Sequence, residues 1–169
     1  MGFRNEETVG ERIAMARCLY SKWGDELRRD PEIAARTREL STLIKASSVL
    51  SSSSGVTNEC RICEEEDGGS CCGAGIEDGY GSELLLLNLL LGAVLPGVAN
   101  SAGSCHFLGE TGCVLHARDI LCINYMCRRI HETIPPGMLF ALRKANGAEM
   151  DLIFALHERV KGFIRKNTL

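Results

Sequence analysis

Positive charge is not in excess in this sequence: 19 Lys and Arg stand against 22 Asp and Glu, giving a net charge of −3 and a pI near 5.8. A surface that grips nucleic-acid phosphates needs the opposite balance, so no nucleic-acid partner is expected. Long hydrophobic runs are also missing. The longest, Leu84 to Leu95, is broken by Asn88 and Gly92 and falls short of the about 20 apolar residues that span a bilayer. It reads as a core helix, and no membrane partner is expected. The segment MGFRNEETVGERI lacks an apolar stretch of signal-peptide length, and Glu6 stands where a myristoylation motif needs Ser or Thr. The expectation is a cytoplasmic protein. There is no convincing period-two alternation, no nucleotide-binding glycine loop, no internal repeat and no nucleophile–base pair. Catalysis is therefore not indicated by any motif.

Cysteine is what the chain has in abundance. Eight of its nine cysteines fall between Cys60 and Cys127. Cytoplasmic thiol buffers keep cysteines reduced, so such a cluster reads there as a metal or redox site. An odd total fits that reading better than a paired disulfide framework does.

Three zones differ in composition. From Asn5 to about Leu50, two helices are predicted. Thr8 and Glu11 have capping-box spacing, and Ile13, Ala16, Tyr20, Trp23 and Leu27 form one apolar stripe. Asp30-Pro31 restarts the helix, with Asp as cap and Pro at the first position. Ser51 to Gly55 has the composition of a flexible linker. The middle zone, Val56 to Arg129, holds most of the glycines, twelve of the 18 lying between Gly55 and Gly112, as loops wrapping a compact ion or cluster require. Within it, His116 to Arg129 is a second helical candidate after the leucine run. From Ile134 onward, Pro135-Pro136-Gly137 breaks the chain, a short helix covers Met138 to Lys144, and Asn146-Gly147 separates it from a last helix whose Ile153, Leu156, Val160 and Ile164 share a face. The predicted fold is all-α with an irregular Gly/Cys-rich core segment. Its parts are an N-terminal helical extension (1–55), a cysteine-rich core (56–129) and C-terminal helices packing on that core (130–169), within a single domain.

Cys60-Arg61-Ile62-Cys63 is a CxxC pair, able to chelate one ion from a tight loop. Seven residues later come Cys71 and Cys72. Adjacent side chains usually diverge, so one of the two can ligate while the other packs or serves a second ion. Cys105 and Cys113 flank the turn LGETG. Cys122 and Cys127 would sit about 140° apart on a continuous helix, so they face one site only if that helix ends between them. Cys18, outside the cluster, reads as a structural thiol. His106 and His116 could replace a cysteine as ligands, though a hydrogen-bonding loop or helix-start histidine explains both. Arg118 would offset the negative charge of a thiolate site, or be a solvated arginine. The acidic run Glu64 to Asp67 reads as a solvated loop, and Asp119 and Glu110 have no catalytic partner.

The full set, CRICEEEDGGSCC followed by SCHFLGETGCVLHARDILCINYMC, resembles the YkgJ-type CxxCxxCC-box family of zinc- or iron-chelating domains with eight cysteines. Cys60, Cys63, Cys71 and Cys72 match the box. Cys105-His106-Phe107-Leu108 matches the family's CPFL element, and Gly112-Cys113 its GC. His116 and Arg118 match the family's (Y/H)-x-R positions, and Cys122 and Cys127 complete the set. The resemblance covers residues 60–129. Two departures stand out: the box holds seven residues between Cys63 and Cys71 where the family usually has two, and Asp119 and His106 replace prolines. The resemblance implies cysteine-bound metal, with zinc and an iron–sulfur cluster both open, and related domains occur in flagellin lysine-N-methylases. The metal ligands expected are Cys60, Cys63, Cys71, Cys72, Cys105, Cys113, Cys122 and Cys127. Eight thiolates could build two closed zinc sites, whereas one 4Fe–4S cluster would use four. The function expected is a structural, carrier or interaction module whose helical arms meet a protein partner. A redox-active or group-transfer centre is the alternative.

Overall fold

The computed structural model describes residues 7–66, 72, 73, 75–100 and 103–168. It is predominantly helical, as expected of an all-α protein. Helix α1 (Val9–Arg29) opens on a complete capping box: Glu11 donates its amide to Thr8 Oγ1, and Glu11 Oε2 accepts from the Thr8 amide at 2.7 Å. Asp30 then ends one helix and starts the next. Its amide donates to Glu26 O, while Oδ1 accepts from the Glu32 and Ile33 amides, both at 3.0 Å. Pro31 occupies the first position of α2 (Pro31–Ser54), where no amide proton is needed.

The serine tract expected to be a linker is helical. It completes α2, and Ser53 and Ser54 hydroxyls donate back to Leu50 O and Ser51 O. The helix stops only at Gly55, whose φ of +92° takes the left-handed cap that glycine adopts without strain. Composition gave no reason for a helix here, but α2 packs along α7 (Pro136–Thr168) in the most extensive helix pairing of the molecule, and tertiary packing overrides weak local propensity. The same physics corrects the C-terminal zone. Asn146-Gly147 does not divide it, because α7 runs unbroken through both residues. Asn146 is buried and donates through Nδ2 to Ile123 O at 2.9 Å, so its polar group is satisfied inside the fold and does not cap a helix end.

Helix α3 (Val56–Glu66) carries the CxxC pair, and α4 (Ser82–Leu90) is the leucine-rich core helix. Leu85, Leu86 and Leu87 are completely buried, and α4 packs on α1. Two short strands, β1 (Leu108–Gly109) and β2 (Gly112–Cys113), pair antiparallel as a hairpin that the search for alternation did not reveal, since two-residue strands leave no period. The predicted 116–129 helix is two shorter ones, α5 (Ile120–Asn124) and α6 (Arg128–Thr133), separated at Tyr125.

The buried side chains form two clusters. The larger gathers residues from Ile13 to Ile164, including Tyr80, the α4 leucines, Cys105, Phe107 and Ile123, with Cys72 and Cys122 packed against it. The smaller joins Val56, Ile130, Ile134, Leu139 and Leu142, with Cys60 and Cys127 packed against it. Five of the cysteines are thereby divided between the two cores, three at the larger and two at the smaller.

Candidate metal centre

The CxxC pair is on a helix, which corrects the expected tight loop. Three residues of helix advance a side chain by about 300°, so Cys60 and Cys63 lie on one face of α3. Two polar ties fix that helix. Arg129 Nε on α6 donates to Glu59 Oε2 at 2.7 Å, which brings the N-cap residue of α6, Cys127, toward α3. Ser104 Oγ donates to Glu64 Oε1 at 3.0 Å, tethering the segment that leads into Cys105. Glu64, expected as part of a solvated loop, thus joins two elements. Cys71 and Asp67 lie outside the described residues. Cys72 is drawn to the second half of the set by backbone pairing: the Cys105 amide donates to Cys72 O at 2.7 Å, beside a bridge between Gly73 and Ser104.

Electrostatic neighbourhoods report which thiols share a space. Burial pushes the Cys60 thiol up, and the thiols of Cys72, Cys127 and Cys63 add to that shift while Arg118 opposes it. Burial also raises Cys113, whose charged neighbours are Arg118, Cys122 and Cys72. Cys122 is raised by burial and feels Asp119, Cys72 and Arg118. Cys105, the most buried of them, is pushed up to about 11 by desolvation, with Glu77, Cys113 and Cys122 nearby. Cys113 is exposed as a whole residue on β2, and desolvation is nonetheless the largest influence on its thiol. All seven described cysteines of the expected set are linked in this way. Cys72 is common to both halves. Cys122 and Cys127 are brought into it because the helix does end between them.

The backbone at Phe107 favours the Cys105 thiolate and that at Leu115 the Cys113 thiolate, each against the pull of burial. Tyr80 donates its hydroxyl to Cys122 Sγ at 3.5 Å. A neutral thiol is a weak acceptor, whereas a thiolate accepts such bonds strongly.

Arg118 is the cation of this neighbourhood. Its Nη2 lies 4.0 Å from Glu149 Oε1, on α7, and its side chain is one-third exposed. Glu149 itself is completely buried, its other oxygen accepting from Ser47 on α2. Spacing gave no sign of this carboxylate, because its partners are 31 and 102 positions away in sequence. Nor did it reveal Asn88, read only as an interruption of the leucine run. Asn88 is fully buried and satisfies its whole amide. Nδ2 donates to Leu84 O at 3.0 Å and Ala117 O at 2.8 Å, while Oδ1 accepts from His116 N at 2.8 Å and Ala117 N at 2.9 Å. This clamp sets the strand-to-helix segment that carries Arg118 and Asp119. Asp119 caps α5 through Leu121 N.

The other candidates lie apart from the sulfurs. His106 is buried, its Nε2 3.3 Å from Pro96 O and its ring edge-on to Phe107. His116 is exposed in a loop and enters the structure through its backbone amide. Cys18 is exposed on α1, so it is not a packed structural thiol. Among the described residues, no group of three or more His, Cys, Asp or Glu side chains is drawn together tightly enough to hold a metal ion. No helix among them is long and apolar enough to cross a membrane. No protein-family model, curated protein or solved structure matches the chain. The candidate centre stands on its own residues. Their donor chemistry, soft sulfur with a hydroxyl donor aimed at one of them, fits a thiolate-bound metal, although the sulfurs are gathered without being closed around one point.

Proposed function

We propose that this chain is a metal–thiolate protein of the YkgJ-type CxxCxxCC-box kind, binding zinc or an iron–sulfur cluster. Its ligands come from Cys60, Cys63, Cys71, Cys72, Cys105, Cys113, Cys122 and Cys127. The observation that carries the reading is the Tyr80 hydroxyl directed at Cys122 Sγ, in a set where Cys72 pairs through its backbone with Cys105 and all three cysteines meet one core. Buried thiols derive little from such donors, while metal-bound thiolates need them to disperse charge. Arg118 supplies a further positive charge within reach of Cys60, Cys113 and Cys122. Bound zinc would supply folding free energy, and a cluster would supply electron transfer. The protein's own contribution is to hold the sulfurs against its two cores, shield them and balance their charge. The role proposed is that of a cytoplasmic structural, carrier or interaction module.

Anaerobic purification followed by elemental analysis and an absorption spectrum tests the reading. A colourless protein with stoichiometric zinc, or a brown one that bleaches with dithionite, supports it and names the metal. The brown outcome favours the redox alternative over the structural one. Cys60→Ser, Cys63→Ser and Cys113→Ser should each lower bound metal, and Cys18→Ser should not. Unchanged metal content in all three of the first set refutes the centre.

A further inference from the structure

Tyr80 is almost completely buried, 1% exposed, at the turn that leads into α4. Its ring packs edge-on against the fully buried Phe107, centroids 5.2 Å apart, so the phenol has one orientation. Its oxygen accepts from the Asp119 amide at 2.8 Å. An amide nitrogen can only donate, so that contact consumes a lone pair and leaves the hydroxyl proton to point elsewhere. Cys122 Sγ, at 3.5 Å, is its acceptor. The bond thus runs from the phenol hydroxyl to the sulfur.

We propose that Tyr80 is a positioning residue for the metal–thiolate centre, its hydroxyl donating to Cys122 so that electron density is drawn from this sulfur. The inference rests on the metal-binding reading above and goes beyond it by assigning a role to a residue outside the cysteine set. Two features support it. Asp119 and Cys122 both belong to the first stretch of α5, so one phenol fixes the helix start and the sulfur together. The low polarity around a buried phenol also strengthens a hydrogen bond to an anionic sulfur relative to one made in water. Because the donor at Cys122 is a side-chain hydroxyl, a single substitution removes it.

The test loads the metal-free full chain with cobalt(II), whose sulfur-to-metal charge-transfer absorption reports the electron density on the ligating sulfurs. Tyr80→Phe should weaken cobalt binding about tenfold, the lower end of what lost second-layer partners cost. It should also move the charge-transfer band to lower energy, because an unbonded thiolate gives up its electron more readily. Replacing Tyr80 with 3-fluorotyrosine, a stronger donor of nearly the same shape, should move the band the opposite way; this arm holds even if the phenylalanine variant folds poorly. In a Cys122→Ser background, Tyr80→Phe should no longer change the band. A band unmoved by both Tyr80 variants in a chain that binds cobalt overturns the role of Tyr80 and leaves the centre standing. Failure of the wild-type chain to bind cobalt at all overturns the metal reading and this inference with it.

Discussion

Replacing Asn88 with leucine should destabilise the protein by about 3 kcal/mol, and the geometry says where that comes from. Asn88 lies in a helix whose neighbouring residues Leu85, Leu86 and Leu87 are wholly buried. Its amide serves four groups. Leu84 O lies four residues back and keeps a helical partner without it. His116 is exposed, so its amide can find water. The Ala117 amide and carbonyl, at 2.9 and 2.8 Å from the Asn88 side chain, belong to a residue with no exposure and would be left without partners. An orphaned buried backbone group costs about 1–3 kcal/mol, so two give about 2–6. Leucine is close to asparagine in size and gains some apolar burial, of order 1 kcal/mol, which offsets part of the loss. Against a typical total of about 5–15 kcal/mol for a domain, such a change is large. The assay is equilibrium urea unfolding of the metal-free chain, which separates this effect from metal affinity. With a slope of about 2 kcal/mol per molar urea, the midpoint should fall by about 1.5 M. A shift below about 0.5 M would mean that the 116–118 segment finds other partners or is not held by Asn88, and the clamp as drawn would be wrong.

Asp30→Ala removes a cap of α2 and the 3.1 Å contact with Arg159 of α7; it should cost about 1–2 kcal/mol, and a thermal midpoint within 1 °C of wild type would count against it. His157 is half-buried on α7, and desolvation, followed by the charge of Lys161, depresses its pKa below the ordinary 6.5 while Glu83 and Glu158 oppose the shift. The unfolded chain therefore binds a proton there before the folded one does, so stability is lost as pH falls below about 6.5. His157→Gln should lose less stability than wild type between pH 7 and 5, measured by urea midpoints, and equal losses would refute the assignment. A methyl group on Gly109 would sit 2.9 Å from Val114 Cγ1 and 3.2 Å from Gly112 O. Gly109→Ala should thus strain the hairpin leading to Cys113 and cost about 1–3 kcal/mol, whereas a metal-free stability equal to wild type would show that the hairpin yields freely.

Sequence alone determined the features whose causes are local. A capping box needs only Thr8 and Glu11, three positions apart, and a helix restart needs only Asp30 beside Pro31, so both were legible and both formed as drawn. The leucine run announced a buried helix because it offers apolar surface on all sides. Spacing also singled out the cysteine set as a candidate site. Tertiary structure decided what depends on distant partners. It made a helix of the serine tract and kept α7 continuous through Asn146-Gly147, since packing of α2 against α7 outweighs local preferences of about a kilocalorie per residue. It alone placed Asn88 against Ala117, Glu149 beside Ser47 and Arg118, and Tyr80 on Cys122. A polar side chain inside an apolar core must find its partners in space, and those partners sit 29 to 102 residues away. No local pattern carries that information. The spacing of the cysteines could only mark them as a set. Only the fold could bring Cys72, Cys105 and Cys122 to one core and Cys60 and Cys127 to the other, and direct the Tyr80 hydroxyl at Cys122.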